Sequence, residues 1–211
     1  MNQRPASGGT PLVPVASLEE FFRDSVDAAL AANHVTVERD TSHYVVRLLT
    51  LFARADACYA AGEAARHRPL ALMLADALDA PGSEERAMAL QRLGDMSLFT
   101  AGFFAEALRD RSVGLDYYVN MGGSAYRSLA SSGHASPRLQ ALAAIFAELA
   151  AKFLSMVDVL HEVRDSARGA TDHDILRLYE TWLRTGSPRA GRLLRQIGIE
   201  PSQQARTPWA H

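Results

Sequence analysis

SPRLQALAAIFAELAAKFLSMVDVLHEVR, residues 136–164, decides the fold class of this chain. Its seam residues Leu139, Leu142, Phe146, Leu149, Phe153, Met156, Leu160 and Val163 alternate three and four apart. That spacing keeps one face of an α-helix apolar and leaves no room for the alternation of a strand. Ser136 can cap the first turn, and Pro137 suits a position whose N–H has no helical partner. The stretch therefore predicts one unbroken helix, packed lengthwise on its neighbours as in a bundle.

Working outward, the rest of the chain repeats this signature. Ser17-Leu18-Glu19-Glu20 reads as a capping box, opening a helix to about Ala32. Residues 35–38 alternate too briefly for a sheet and read as an extended connection. Asp40, Thr41 or Ser42 starts a second helix carrying Val45, Leu48, Phe52, Ala55 and Tyr59. Pro69 opens a short helix that stops before Pro81-Gly82, and Ser83 with Glu84 and Glu85 opens a long one to about Asp110. A fifth runs from Val113 to Ser131, interrupted or strained at Gly122-Gly123. Past the seam helix, Thr171 and Asp174 open a seventh helix closed by Gly186, and Ser187-Pro188 an eighth closed by Gly198. The expectation is an all-α single compact bundle of about seven or eight helices with a C-terminal helical hairpin, spanning residues 17–200. Residues 1–16 form a flexible Pro/Gly tail in this reading, and 201–211 a loose end. No repeat of solenoid period occurs.

Composition narrows the class. The 211 residues are 48% hydrophobic and 22% charged, with a formal net charge of −2. Such a chain has no global field for nucleic acid or an anionic membrane. Lys152 is the only lysine among 22 basic residues. That bias, with the alanine richness, is the mark of a GC-rich bacterial genome rather than of anion recognition. Cys58 is the sole cysteine, which excludes an internal disulfide and fits a small apolar side chain in a helix. With no signal-peptide core and no run near the length of a membrane span, the expected location is cytoplasmic.

The candidate chemistry is sparse. Asp40-x-x-His43 and Asp158-x-x-His161 place a carboxylate and an imidazole one turn apart, as di-iron bundles do. The seam argues against the second pair, because His161 sits about 100° from Leu160 and Asp158 nearly opposite, so both should face water. Asp40 reads as a cap, and Glu63-x-x-x-His67 stands alone near a helix end. No zinc spacing, nucleophile elbow or phosphate loop occurs. No metal and no cofactor are expected.

The fourth and fifth segments stand apart. Residues 93–104 carry apolar side chains on every face, so that helix should be central. Gly94, Ser97, Ala101 and Ala105 make a small-residue stripe for close packing; Asp95, Phe99, Gly102 and Glu106 make a second. Asp95 and Glu106 lie eleven residues apart, about 16 Å along the axis, too far to share one substrate atom. A buried acid there needs a partner. The expected one is Arg92 or an arginine of another helix. The alternative is a ligand pocket in which Asp95 faces walls made by Phe99, Phe103, Tyr117, Tyr118 and Tyr126.

A third feature is the C-terminal arginine cluster. Arg189 and Arg192 lie on one helix face with Arg195 at its edge. A partner-docking surface, or a simply solvated basic face, suits it better than DNA reading, because the preceding helix is acidic. Taken together these features favour a non-enzymatic binding module, regulatory or scaffolding, whose partner is itself or another protein. A small-molecule-binding or enzymatic bundle around Asp95 and Tyr117 is the first alternative. A nucleic-acid-binding regulator acting through the arginines is the second.

Overall fold

The computed structural model describes residues 15–58, 69–105, 108, 114–132, 136–168, 181–182 and 184–196. Among them it is all-α, with no strand. The helices are α1 (Val15–Asn33), α2 (Arg39–Cys58), α3 (Leu70–Asp79), α4 (Ser83–Phe103), α5 (Leu115–Ser131), α6 (Pro137–Ala151), α7 (Phe153–Arg168) and α8 (Pro188–Gln196). Residues 35–38 form the expected connection between α1 and α2, neither helix nor strand. None of the described helices is long and apolar enough to cross a membrane. Residues 1–14 of the expected tail 1–16, the loose end 201–211, the start of the seventh helix at Thr171, and Glu63, His67 and Gly198 lie outside the described residues, whereas Val15 and Ala16 already belong to α1.

Local chemistry sets the helix ends. Ser136 accepts a hydrogen bond from the Leu139 amide at 3.3 Å, with Pro137 in the first turn of α6. Gly186 adopts φ 72°, its amide bonding the Trp182 carbonyl at 2.8 Å. That left-handed conformation suits glycine and turns the chain into α8. Ser187 then caps α8 by accepting from the Ala190 amide at 3.1 Å.

α4 is the centre of the bundle. It packs against α3, α5 and α7, while α6 packs on α5 and α2, and α1 bridges α2 and α7. The seam side chains fill the core between them: Phe146, Leu149, Phe153, Met156, Leu160 and Val163 are all buried.

Three elements depart from the sequence expectation. The seam is carried by two helices, with Lys152 at φ −109° and ψ 20° between them. The Lys152 amide still bonds the Glu148 carbonyl at 2.9 Å, and its Nζ reaches Glu148 Oε1 and the Thr36 carbonyl, both at 2.7 Å. A straight helix over the whole seam would run roughly 40 Å. The bend at Lys152 instead lets each half stay buried on different neighbours. Next, α4 ends at Phe103 rather than near Asp110. The Ala101 carbonyl, which a further turn would use, lies 2.9 Å from His161 Nε2.

The third departure is α5, which passes through Gly122-Gly123 without interruption. A Cβ on Gly122 would collide with the Phe153 ring and lie 2.7 Å from Ser97 Cβ. Close approach of α5 to α4 and α7 therefore accounts for this glycine. The same holds for Gly94, whose Cβ would lie 2.6 Å from Cε1 of Tyr126.

Gly94→Ala is expected to destabilise the protein despite alanine's better helix propensity. Overpacking against a fully buried ring costs about 1–3 kcal/mol, against a gain of about 1 kcal/mol at most. Urea denaturation followed by circular dichroism checks the sign; an unchanged or raised midpoint would refute the packing account.

Candidate functional site

Asp95 lies in the middle of α4, beside Gly94 and one turn before Phe99. Its carboxylate is met by two phenols from different helices. Tyr44 of α2 and Tyr126 of α5 each donate a hydrogen bond to Asp95 Oδ1 at 2.7 Å. Gln91 Nε2 donates to the Tyr44 hydroxyl at 3.0 Å, and Arg138 of α6 reaches Gln91 Oε1 at 3.3 Å. The expected arginine partner is thus replaced by hydroxyls, and Arg92 points to solvent. The missing side chain at Gly94 gives the Tyr126 ring its place, so the small-residue stripe and the acid belong to one device. Behind it, Tyr126 stacks on Phe146 at 5.7 Å and Tyr44 meets the same ring edge-on at 5.8 Å.

A carboxylate enclosed without a countercharge should favour its proton. Burial raises Asp95 to about 6, and the bonds from Tyr126 and Tyr44 pull the other way. Burial also holds both tyrosines above their usual range, with the Asp95 charge adding to it. The site can hold or release one proton near neutrality.

The aromatic candidates divide into separate groups. Phe99 stacks on Phe52 of α2 at 4.1 Å and on Phe103 at 5.1 Å, with Phe104 edge-on at 5.6 Å. Tyr117 and Tyr118 meet each other edge-on at 5.7 Å, and only Tyr118 is buried. So Tyr126 joins Asp95 directly and Phe103 joins Phe99, while the Tyr117–Tyr118 pair forms its own contact on α5. Glu106 lies outside the described residues. Tyr44 and Gln91 were not singled out from the sequence, and Phe52 only as an apolar position of its helix. Tyr44 sits one residue off the apolar stripe of α2, and its signal was the donor that a buried Asp95 requires.

The second polar cluster joins α7 to α8. Asp158 and His161, expected to face water, are 3% and 7% exposed. The seam phase assumed a helix packed on one side, whereas α7 is enclosed by α1, α4, α5 and α8, and Val157 and Val159 are buried as well. The two residues also serve different neighbours. Asp158 Oδ1 accepts from Ser187 Oγ at 2.6 Å and Oδ2 from the Arg189 amide at 3.3 Å. His161 is pushed down to about 4 by burial, with Arg164 and Arg189 adding to it. It is therefore neutral near pH 7, and its Nε2–H donates to the Ala101 carbonyl. Among the described residues no group of three His, Cys, Asp or Glu side chains could hold a metal ion.

The arginines of α8 face inward more than their sequence face implied. Arg189 is buried, with Nε on Glu162 Oε2 at 3.0 Å and a terminal nitrogen on Asp165 Oδ2 at 2.7 Å. Arg164 grips the other Asp165 oxygen at 2.7 Å. Burial alone would raise Asp165, but these two guanidiniums outweigh it and hold it low. Arg192 donates to Asn33 Oδ1 of α1 at 2.7 Å, and Arg195 is exposed.

Comparison of the chain with models of known protein families, with curated proteins and with solved structures finds no match.

Asp95 binds its proton more tightly in the folded chain (about 6) than at its ordinary value of 3.8. Protonation therefore favours the fold, and its contribution falls away as pH rises from about 4 through about 6, by up to about 3 kcal/mol. Asp95→Asn should flatten this part of the stability–pH profile in thermal melts, whereas an unaltered slope would show that Asp95 is not its source. Tyr126→Phe removes a bond that lowers the acid, so it should move the same transition to higher pH.

Asp158→Ala removes the acceptor of both Ser187 and the Arg189 amide. A loss of about 2–4 kcal/mol is expected, combining a buried polar group and a helix cap. Hydrogen exchange should show it first as faster opening of α8, and protection there equal to the parent would rule the clasp out.

Proposed function

We propose that this chain is a binding module without chemistry of its own, a regulatory or scaffold protein that works by associating with itself. One observation carries this reading. Phe21, Leu51, Leu72, Leu78, Met88 and Phe104 are large apolar side chains exposed on α1 to α4 and just beyond, with Leu51 61% accessible. Exposed apolar residues scattered singly are ordinary; this reading takes these as surface that a partner covers. The polar groups that could have done chemistry are turned to other use: Asp95 accepts from two tyrosines, Asp158 caps α8, and His161 closes α4. In this reading the working compartment is the cytoplasm of a bacterium, consistent with the single cysteine and the arginine bias.

A small-molecule reading has one observation in its favour. Asp95 is partly buried and keeps a proton to about 6, one turn before Phe99 on α4. A small molecule that co-purifies with the parent protein and is lost from Asp95→Asn in native mass spectrometry would support it. The nucleic-acid reading has less: Arg189 and Arg192 are already engaged by Glu162, Asp165 and Asn33.

Sedimentation velocity from low micromolar to millimolar concentration tests the leading reading. The expected outcome is a reversible shift from the 23.0 kDa monomer to its dimer. A single monomeric species across the whole range would overturn it.

A further inference from the structure

The first two helices turn oppositely charged faces to solvent. On α1, Glu20, Asp24 and Asp27 are exposed and lie within about 60° of one another around the axis. On α2, Arg39, Arg47 and Arg54 are exposed within about 80°. Each face also holds a charge of the other sign. Arg23 of α1 is taken up by Glu19 at 3.2 Å, and Asp40 of α2 stands in the first turn, at the positive end of its helix. Among the described residues, the three acids and the three arginines have no ion-pair partner within the chain.

The two stripes adjoin. Glu19 Oε1 lies 4.0 Å from His43 Nε2, where the flank of α1 meets that of α2. Phe21 stands exposed on the margin of the acidic stripe away from Glu19, and Leu51 on the margin of the basic stripe away from Arg39. Across this surface the order is therefore Phe21, acids, the Glu19–His43 contact, arginines, Leu51.

Resting on the self-association reading above, we infer that this charge-divided face is the interface between two copies. A two-fold axis lying in the face, between the stripes, lays the acids of α1 in each copy over the arginines of α2 in the other. The match is made twice, as an isologous contact requires. The same operation sets the Phe21 margin of each copy over the Leu51 margin of its partner. Pairing α1 on α1 would set acid on acid, and α2 on α2 base on base. A polyanion seated on the arginines would meet the acids beside them, and a polycation on the acids would meet the arginines. A second copy matches both stripes at once. Helices of 19 and 20 residues side by side offer a face roughly 28 Å by 20 Å, so full cover on both copies comes to about 1,100 Å², the low end of specific interfaces.

The test uses the full chain in sedimentation velocity. Raising NaCl from about 50 mM to about 500 mM should raise the dimer dissociation constant at least about tenfold. Arg47→Glu with Arg54→Glu sets acid over acid in both halves of the pair, and Asp24→Arg with Asp27→Arg sets base over base. Each double variant should stay monomeric where the parent dimerises. Mixed one to one, the two variants are matched in both halves and should form a heterodimer of twice the monomer mass. Leu72→Ser and Leu78→Ser should leave the parent dissociation constant unchanged. A parent that is monomeric at every concentration overturns the self-association reading itself. If that monomer binds a labelled oligonucleotide, and Arg47→Glu with Arg54→Glu abolishes the binding, the basic stripe belongs to a polyanion instead. Three results overturn only the placement on α1 and α2: a dimer indifferent to salt, a double variant that dimerises like the parent, or two variants that fail to pair when mixed although circular dichroism shows both folded.

Discussion

A carboxylate set into an apolar helix must be satisfied by whatever the neighbouring helices bring to it, and around Asp95 that demand organises the bundle. α4 contributes the acid, α2 and α5 each contribute a phenol, and α6 supports them through Phe146 and Arg138. The geometry works because Gly94 leaves room for the Tyr126 ring directly beside the acid. Four helices are thereby held in one relative register. Nonpolar packing alone would tolerate sliding between them, whereas two 2.7 Å bonds to one oxygen do not.

The same logic recurs at α7, from the opposite direction. That helix is packed by several neighbours, so Asp158 and His161 are shut off from water and are matched with backbone and side-chain partners. His161 closes the end of α4, Asp158 caps α8, and Asp165 and Glu162 take the Arg189 guanidinium. No described side-chain nitrogen or oxygen that is fully buried lacks a hydrogen-bond partner. Such completeness is the signature of groups that hold a fold together. It also bears on function, since a charged group already matched inside the chain has little left for a substrate or a phosphate backbone.

Large apolar side chains also stand exposed, and two of them, Leu72 and Leu78, belong to α3. It is short, packs chiefly on α4, and turns a leucine-flanked alanine line outward.

Reading residues in order was enough for the helical class, the connection at 35–38, the Ser136-Pro137 start and the Gly186 turn. Each of these depends on spacing or on backbone groups within a few residues, so the information is local. The need of Asp95 for a partner was legible for the same reason. Which partner it takes was not, because Tyr44 and Tyr126 lie 51 and 31 residues away, and helix phase does not say which faces will meet. The inward turn of Asp158 and His161, the bend at Lys152 and the early end of α4 belong to the tertiary structure alone. All follow from how many neighbours enclose a helix, a quantity that its own periodicity does not contain.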